Sequence, residues 1–264
     1  MTFDIKVEVD RINEIELALT RFNSERALSS VDKNLQTKQV GDCTLLIDPA
    51  SPGSIYYNRI KGFGKNDLDK TDEILEIYAS EQLTPCFDMT PDQLNMEVAQ
   101  ALTGKGFYSA EQLVFMEMQP QDGAYVSEDI HLVKVTGDNV REFLHLIAES
   151  TGMTSDEEIM ERKATYFVRP DFHNYIAYIG EDTIGMGSLF IRGEEGYLAN
   201  DFTFPSHRGK GAQKALIHHR IQTAKEMGLK RLYTDVEFGT ASNQNMLKAG
   251  FQTVFQNSFW MKAE

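Results

Sequence analysis

Apolar residues recur at helical spacing in two separate stretches of the chain. The positions are Ile12, Ile15, Leu19 and Phe22 in the first stretch, and Val140, Phe143, Leu144 and Ile147 in the second. Steps of three and four residues place apolar side chains on one face of a helix. The pattern therefore predicts an amphipathic helix near the start of each half of the chain.

The second half alternates between strand-like and helix-like segments. Two β-rich runs, 175–179 and 183–191, are separated by the turn residues Gly180-Glu181-Asp182, which predicts a hairpin. The predicted order after this hairpin is strand, helix, strand, helix and strand. These segments are 196–204, 211–227, 231–236, 241–248 and, after Gly250-Phe251, the alternating run 255–261.

The first half repeats this order of elements. Its segments are a strand over 54–60, a helix over 68–81, a strand over 84–89, a helix over 91–103 and a strand from Gly106-Phe107 to Met118. Asn58 and Gly106 are 48 residues apart, and Asn200 and Gly250 are 50 apart. The similar lengths favour two copies of one α/β unit, joined by the polar linker 119–129.

Composition and charge narrow the class of protein. The chain has 264 residues, of which 41% are hydrophobic and 25% charged, as in one or two globular domains. No apolar run approaches the ~18 residues that cross a bilayer, and no signal peptide is apparent, so we expect a cytoplasmic protein without a membrane segment. Cys43 and Cys86 have no metal-binding spacing, and no metal is expected. The net charge of −14 disfavours nucleic acid as a partner.

One short segment departs from this acidic character. Residues 206–231 carry a net charge of +6, from seven Lys or Arg residues and one acid, Glu226. A solvated helix face would explain such an island, and so would a binding site for one compact polyanion. The composition alone leaves both interpretations open.

The basic segment begins with Arg208-Gly209-Lys210-Gly211, between a predicted strand and a predicted helix. The first turn of a helix has unpaired N–H groups and the positive end of the helix dipole. The two glycines leave room for an anion at these groups, and the two cations add attraction, which together indicate a diphosphate site. A glycine-rich turn that only starts a surface helix remains the alternative. No Gly-Lys-Ser/Thr follows, so the motif is not a P-loop.

The stretch 202–211, Phe-Thr-Phe-Pro-Ser-His-Arg-Gly-Lys-Gly, resembles the acyl-CoA signature of the GNAT superfamily of N-acetyltransferases. Arg208 and Gly211 fit its Arg/Gln-x-x-Gly-x-Gly/Ala pattern, while Gln213 stands where a small residue is commonest. The segment Ser242-Asn243-Gln244-Asn245, followed by Gly250-Phe251, also resembles the family. The similarity covers about 130–264, and the first half resembles a decayed copy, as in tandem GNAT proteins.

The resemblance implies an α/β fold (mixed α+β) of two GNAT-like units. Each unit would have a mixed, mostly antiparallel sheet flanked by helices, with splayed central strands in the C-terminal unit. We expect a degenerate GNAT-like domain over 1–120, without a CoA site, and an acetyltransferase domain over 128–264. The implied acyl donor is acetyl-CoA. The implied binding residues are Phe202, Thr203 and Phe204 for the pantetheine arm, Arg208, Gly209, Lys210, Gly211, Ala212 and Gln213 for the diphosphate, and Asn245 beside the pantetheine.

The implied reaction is direct attack of an amine on the thioester. A primary amine has a pKa of about 10, so a base must remove a proton from it at neutral pH. The candidate acids and bases near the splayed strands are Asp201, Tyr233, Asp235 and Glu237. Many GNAT enzymes protonate the departing thiolate with a tyrosine four residues before the Gly-Phe pair, and this sequence has Met246 there.

The first half lacks the features of the diphosphate motif. An offset of 142 residues aligns Asn58 with Asn200 and places Asn66, Asp67 and Asp69 where Arg208, Gly209 and Gly211 stand. Acidic residues favour a helix start but repel a phosphate there. We therefore expect only the second half to bind CoA.

The leading hypothesis is an acetyl-CoA-dependent N-acetyltransferase that acts on a primary amine of a small molecule or a peptide. The alternative is a non-catalytic acyl-CoA-binding regulatory or sensor protein, which Met246 and the degenerate half would suit. A structural module without a ligand is the third hypothesis, and the basic island argues against it. The sequence leaves a homodimer open and does not identify the acceptor.

Overall fold

The fold is mixed α/β and is taken from a computed structural model that describes residues 4–31, 33–122, 127, 129–154 and 156–263. These residues form seven α-helices and thirteen β-strands. The helices are α1 Ile5–Glu25, α2 Thr71–Ser80, α3 Met96–Gly104, α4 Val140–Thr151, α5 Glu157–Lys163, α6 Ala212–Glu226 and α7 Ala241–Ala249. The strands are β1 Gln36–Val40, β2 Cys43–Ile47, β3 Arg59–Lys61, β4 Cys86–Met89, β5 Phe107–Glu111, β6 Val114–Met118, β7 Ile130–Lys134, β8 Phe172–Ile179, β9 Asp182–Arg192, β10 Glu195–Thr203, β11 Arg231–Val236, β12 Gln252–Gln256 and β13 Ser258–Lys262.

The strands form two mixed sheets. The six-stranded sheet has the order β1-β2-β3-β4-β13-β5, and its one parallel pair is β3–β4. The seven-stranded sheet has the order β12-β6-β11-β10-β9-β8-β7, with β10 and β11 parallel and β7 to β10 antiparallel. The predicted fold class, two mixed and mostly antiparallel units, is therefore confirmed.

The chain divides into two compact units, which are described separately. The large unit contains the described residues of 1–19, 26–30 and 116–253, and the small unit contains those of 20–25, 31–115 and 254–264. These units differ from the expected domains, 1–120 and 128–264, at both ends of the chain. The C-terminal difference arises because β13 pairs between β4 and β5.

Asn257 interrupts the strand that the sequence predicts over 255–261. Its N–H donates to Leu113 O at 3.0 Å, and its Oδ1 accepts from the Leu113 N–H at 3.0 Å. Its Nδ2 donates to Asp88 Oδ1 at 2.6 Å. The run is therefore divided between β12 and β13, which belong to different sheets.

Most of the predicted elements are present, with shifted ends. Ile12, Ile15 and Phe143 are fully buried, which confirms the apolar faces of α1 and α4. The predicted strand over 54–60 is wrong over most of its length, because only Arg59–Lys61 is extended. Asn58 stabilises a turn there instead, and its Nδ2 donates to Ser51 O at 2.7 Å.

Candidate functional site

The loop between β10 and α6 leaves the start of the helix open. A 3-10 turn over Pro205–His207 follows β10, and Gly211 is the N-cap residue of α6. Gly209 and Gly211 have φ angles of +80° and +95°, a region that glycine enters without strain. Among the residues that the structure describes, no side chain forms a capping hydrogen bond at α6, and a Cβ built at Gly209 would meet no atom within 4 Å. No described side chain therefore competes with an anion for the N–H groups of the first turn.

Cationic side chains border this opening. Arg208 and Lys210 are exposed, and Lys210 Nζ lies 3.2 Å from Nδ1 of His207. Their charges add to the positive end of the dipole of α6. The motif that the sequence analysis identified thus combines open amides and positive charge, which suits a diphosphate.

Gln213 and Asn245 lie next to one another, which the sequence did not predict. Asn245 Nδ2 donates to Gln213 Oε1 at 2.7 Å, and Gln213 Nε2 donates to Ser242 Oγ at 2.8 Å. The two predicted binding residues therefore join the starts of α6 and α7. The Gln213 side chain is used in this contact, so its backbone N–H is the group left to face an anion.

The central strands of the large unit separate, as predicted. β10 and β11 are in register over three pairs, from Glu195–Arg231 to Tyr197–Tyr233. Beyond them β10 continues to Thr203 and β11 to Val236, and no further pair between the two strands is found among the described residues. Thr234 Oγ1 bridges the strands by donating to Leu198 O at 3.2 Å, and the Tyr197 hydroxyl donates to Asp235 Oδ1 at 2.5 Å. We call the space beyond these two contacts the strand gap.

A β-bulge lies on the β10 side of the strand gap. The register with β9 shifts between Ala199 and Phe202, so Asn200 and Asp201 have no partner residues on β9. Asn200 has a φ of +54°, which is uncommon for a residue with a side chain. Beyond the bulge, Phe202 and Phe204 pack edge to face with ring centres 5.1 Å apart.

Asp201 is held by a buried arginine of α6. Arg220 is fully buried and binds the carboxylate through both terminal nitrogens, at 3.0 Å for the Nη1–Oδ2 contact. Arg220 also donates to Ser188 O at 2.9 Å and to Leu216 O at 2.9 Å. Asp201 therefore neutralises Arg220, and this contact competes with the role of base that the sequence suggested.

The other three candidates lie in different surroundings. Tyr233 is fully buried, and its hydroxyl donates to Glu8 Oε2 of α1 at 3.3 Å. Burial and the nearby carboxylates of Glu195 and Glu8 raise the pKa of Tyr233 far above its usual range. Glu237 is exposed beyond the end of β11. Asp235 is the one of these three that lies at the strand gap.

Tyr197, the hydrogen-bond partner of Asp235, was missed by sequence reasoning. It is buried, and only its position directly across from Tyr233 brings its hydroxyl to Asp235. An alternating strand places residues 233 and 235 on one face, but the partner strand and its register are needed to identify the contact.

In the small unit, the loop before α2 corresponds to the loop before α6 and contains a buried carboxylate. Asp67 is 1% exposed and lies in a 3-10 turn over Lys65–Lys70, just before α2. Its Oδ1 accepts from the N–H of Asp42 at 3.0 Å, and its Oδ2 accepts from the N–H of Gly64 at 3.3 Å. Lys70 Nζ lies 3.8 Å from the same carboxylate.

The part of the chain that the structure describes has no group of three or more His, Cys, Asp or Glu side chains placed to share a metal ion. None of the described helices is both long and apolar enough to span a bilayer.

Comparisons with known proteins agree with this geometry. Residues 140–251 match the model of the acetyltransferase (GNAT) family. No curated protein matches the chain. Among solved structures, a GCN5-related N-acetyltransferase from Kribbella flavida is 13% identical with a TM-score of 0.66, over 88% of this chain and 90% of that one.

Two other similar structures have the same extent. A tandem GNAT protein from the clavulanic acid biosynthesis pathway is 13% identical with a TM-score of 0.61, over 91% of this chain and 86% of that one. A functionally unknown conserved protein from Staphylococcus epidermidis is 10% identical with a TM-score of 0.63, over 88% and 94%. At these identities the likeness shows a shared fold that includes both halves of the chain.

Proposed function

We propose that this chain is a tandem protein of the GNAT type and an acetyl-CoA-dependent N-acetyltransferase acting on a primary amine, since residues 140–251 match the model of that family. The family supports acyl transfer in general. One observation supports the finer proposal: β10, whose pairing with β11 ends at Tyr197–Tyr233, leads through the loop 204–210 to the start of α6, where no described side chain forms a capping hydrogen bond. A nucleotide thioester needs an anion site and a neighbouring slot between strands, and the start of α6 and the strand gap are the proposed places for them.

The loop residues divide the binding of the acyl donor between them. The amides of Gly209, Gly211, Ala212 and Gln213 receive the diphosphate, and Arg208 and Lys210 balance its charge. The backbone of Phe202, Thr203 and Phe204 borders the pantetheine arm. Asn245 orients Gln213 through its 2.7 Å hydrogen bond and thereby supports the first turn of α6.

The strand gap is the proposed place of the chemistry. The amine nitrogen attacks the carbonyl carbon, its proton passes to a carboxylate, and the C–S bond breaks to release the CoA thiolate, which takes a proton from solvent. Asp235 is the preferred base, because its carboxylate lies at the gap and Tyr197 fixes its orientation. Glu237 remains the second candidate, whereas Asp201 and Tyr233 are engaged with Arg220 and Glu8.

Further parts of the proposal concern the rest of the protein. The small unit binds no CoA, since the buried Asp67 carboxylate lies in the turn before α2 and would repel a diphosphate there. The acceptor is a small molecule or a peptide with a primary amine. The cytoplasm is the expected compartment, in keeping with the free, buried thiols of Cys43 and Cys86.

One observation favours a second candidate, a non-catalytic acyl-CoA sensor. Met246 occupies the position at which many GNAT enzymes have a tyrosine, and it is 1% exposed. An apolar, buried thioether supplies no proton to the departing thiolate. The protein would then bind the thioester without turning it over, and turnover decides between the two functions.

Calorimetric titration with acetyl-CoA tests the binding site. Wild type should bind one molecule per chain, and Gly209→Asn should weaken binding by about tenfold or more, because its side chain enters the open space at a φ that Asn tolerates. Gly228→Asn is the matched control at the other end of α6, since Gly228 also has a positive φ of +76° and open surroundings. An absence of heat with folded wild type would overturn the proposal.

Thiol release with a panel of primary amines then tests the reaction. Turnover above the rate of the free thioester, lost in Asp235→Asn by about 100-fold, is expected for the transferase. Tight binding with no turnover across the panel would replace the transferase by the sensor.

A further inference from the structure

A buried arginine from the end of α1 contacts the β-bulge. Arg26 is 8% exposed, and its guanidinium lies 5.2 Å from the ring centre of Phe167 and 5.0 Å from that of Phe172. Its Nη2 donates to Asn200 Oδ1 at 3.0 Å. A buried cation is costly unless it is well partnered, and aromatic faces and a directed hydrogen bond partner this one.

Asn200 connects Arg26 with a buried chain of hydrogen bonds. Its Nδ2 donates to Ser188 Oγ at 3.0 Å, and Ser188 Oγ donates to Asn174 Oδ1 at 2.5 Å. Asn174 Nδ2 then donates to Phe167 O at 2.8 Å. Since Ser188 and Asn174 are almost fully buried, the chain has little freedom to rearrange, and it fixes both ends of the Asn200 amide.

A second arginine holds the next residue of the bulge. Arg220 binds the Asp201 carboxylate and donates to Ala199 O at 3.4 Å. The two bulge residues are thus each fixed by a separate buried arginine. The contacts hold the side chains of the backbone segment where Asn200 adopts its uncommon φ of +54°.

The bulge follows directly on the part of β10 where the pairing with β11 ends. Leu198, just before the bulge, directs its carbonyl towards β11, where Thr234 donates to it. Asn200 and Asp201 have no partner residues in the register with β9. A thioester carbonyl in the strand gap would gain negative charge on its oxygen as the amine attacks, and a fixed N–H there would stabilise it.

We propose that Arg26 is a positioning residue for acyl transfer, which acts through Asn200 to aim an N–H of the bulge at the thioester carbonyl. The inference rests on the proposed function and adds a residue from the N-terminal end of the chain to the site. Losing one oxyanion donor lowers kcat by about 10²–10³-fold, and a misdirected donor should cost about 10–100-fold.

The test uses acetyl-CoA labelled with ¹³C at the carbonyl and needs no acceptor. In wild type the carbonyl resonance should move downfield on binding, because a hydrogen bond polarises the C=O group. In Arg26→Lys, which keeps the charge but loses the planar fork, it should return towards the free position. Calorimetry on the same samples should show an affinity within about threefold of wild type.

Two further variants keep the test decisive. Asn200→Gly tolerates the positive φ but lacks the side chain that Arg26 binds. Its carbonyl resonance should also return towards the free position, and it provides the test by itself if Arg26→Lys folds poorly. Arg21→Lys is the control on the same helix, since Arg21 is exposed and contacts Thr37 Oγ1 at 3.3 Å. It should leave the resonance unchanged.

The outcomes separate the two proposals. If no acetyl-CoA binds to wild type, the proposed function itself fails. If it binds but the carbonyl resonance stays at the free position, or is the same in wild type and Asn200→Gly, Arg26 has a structural role only and the inference is overturned. With an acceptor from the amine panel, the expected result is a lower kcat at an unchanged KM for acetyl-CoA.

Discussion

Two loops at corresponding places in the two units, each just before a helix, differ in the charge that they carry. Before α6, Gly209 and Gly211 leave the amides open and Arg208 and Lys210 supply exposed positive charge. Before α2, the buried Asp67 carboxylate accepts from the N–H of Gly64 in the same loop and from that of Asp42 in the β1–β2 turn. The comparison shows that one loop carries exposed positive charge and the other a buried negative charge that the protein itself satisfies.

The central strand pairs of the two units, β10–β11 and β3–β4, also differ, because the first pair separates and the second stays paired. At the positions that the 142-residue offset equates with Asp201–Thr203, the small unit has Arg59–Lys61 in register with β4. Arg59 and Lys61 are buried there against Asp88, at 3.2 Å and 2.6 Å. One unit has an open gap with a bulge, and the other has paired strands joined by an internal ion cluster.

The largest loss of stability is expected from Asp88→Ala, which removes the carboxylate that Arg59 Nη1 and Lys61 Nζ both contact. Breaking a buried ion pair by removing one partner costs about 3–5 kcal/mol, because buried cations lose a carboxylate partner. The lone tryptophan, Trp260, lies in β13 of the small unit, so its fluorescence during urea unfolding measures this loss.

Asp201→Ala is the matched variant in the large unit. Arg220 retains three carbonyl acceptors, so the loss should be about 1–3 kcal/mol, followed by circular dichroism. Equal losses in the two variants would contradict the view that the small unit depends more on its internal charges.

A smaller effect is expected from Asp67→Ala in the closed loop. The amides of Asp42 and Gly64 would lose their acceptor, at a cost of about 1–3 kcal/mol by Trp260 fluorescence. Asp69→Ala is the control in the same turn, since the Asp69 side chain is 81% exposed, and it should change stability by less than about 0.5 kcal/mol. A large loss of stability in Asp69→Ala would mean that any substitution in this turn is destabilising, and that the loss in Asp67→Ala does not report on its buried carboxylate.

The mildest test uses the thiols of the small unit without a mutation. Burial and the nearby carboxylates of Asp67 and Asp88 raise the pKa of Cys43 and Cys86 to about 12. The rate of modification by a disulfide reagent should therefore keep rising between pH 8 and about 10, where an ordinary thiol levels off. A plateau near pH 9 in the folded protein would mean that the strands open.

The raised pKa values of the two thiols also make the stability of the small unit depend on pH. The unfolded chain loses its thiol protons near pH 9.0, whereas the folded chain keeps them to about 12. The small unit is therefore expected to lose stability as the pH rises through this range, and the contribution is fully present below pH 9.0.

The sequence predicted those features that depend on neighbouring residues. Arg208 to Gly211, the helix that follows and the acidic loop at Asp67 are local patterns, and each has the expected place. Contacts across long separations could not be read in this way. Arg26 and Asn200 are 174 residues apart, and the role of Asp201 depends on Arg220, 19 residues later on another element.

The predicted strand over 54–60 illustrates a different limit. Its β-branched and aromatic residues favour a strand, but Asn58 accepts from the N–H of Asp48 at 2.8 Å and holds a turn. The separation of the two central strands, in contrast, was predicted from the family resemblance. The contact of Tyr197 with Asp235 could be identified only from the register of β10 with β11.

The division of the chain at Asn257 between two sheets has a consequence for expressing either half alone. The last strand completes the sheet of the opening half, and β6 from that half lies inside the sheet of the closing one. A gene fragment for either half would encode an incomplete sheet with an unprotected edge. Neither half is therefore expected to fold by itself with an intact sheet.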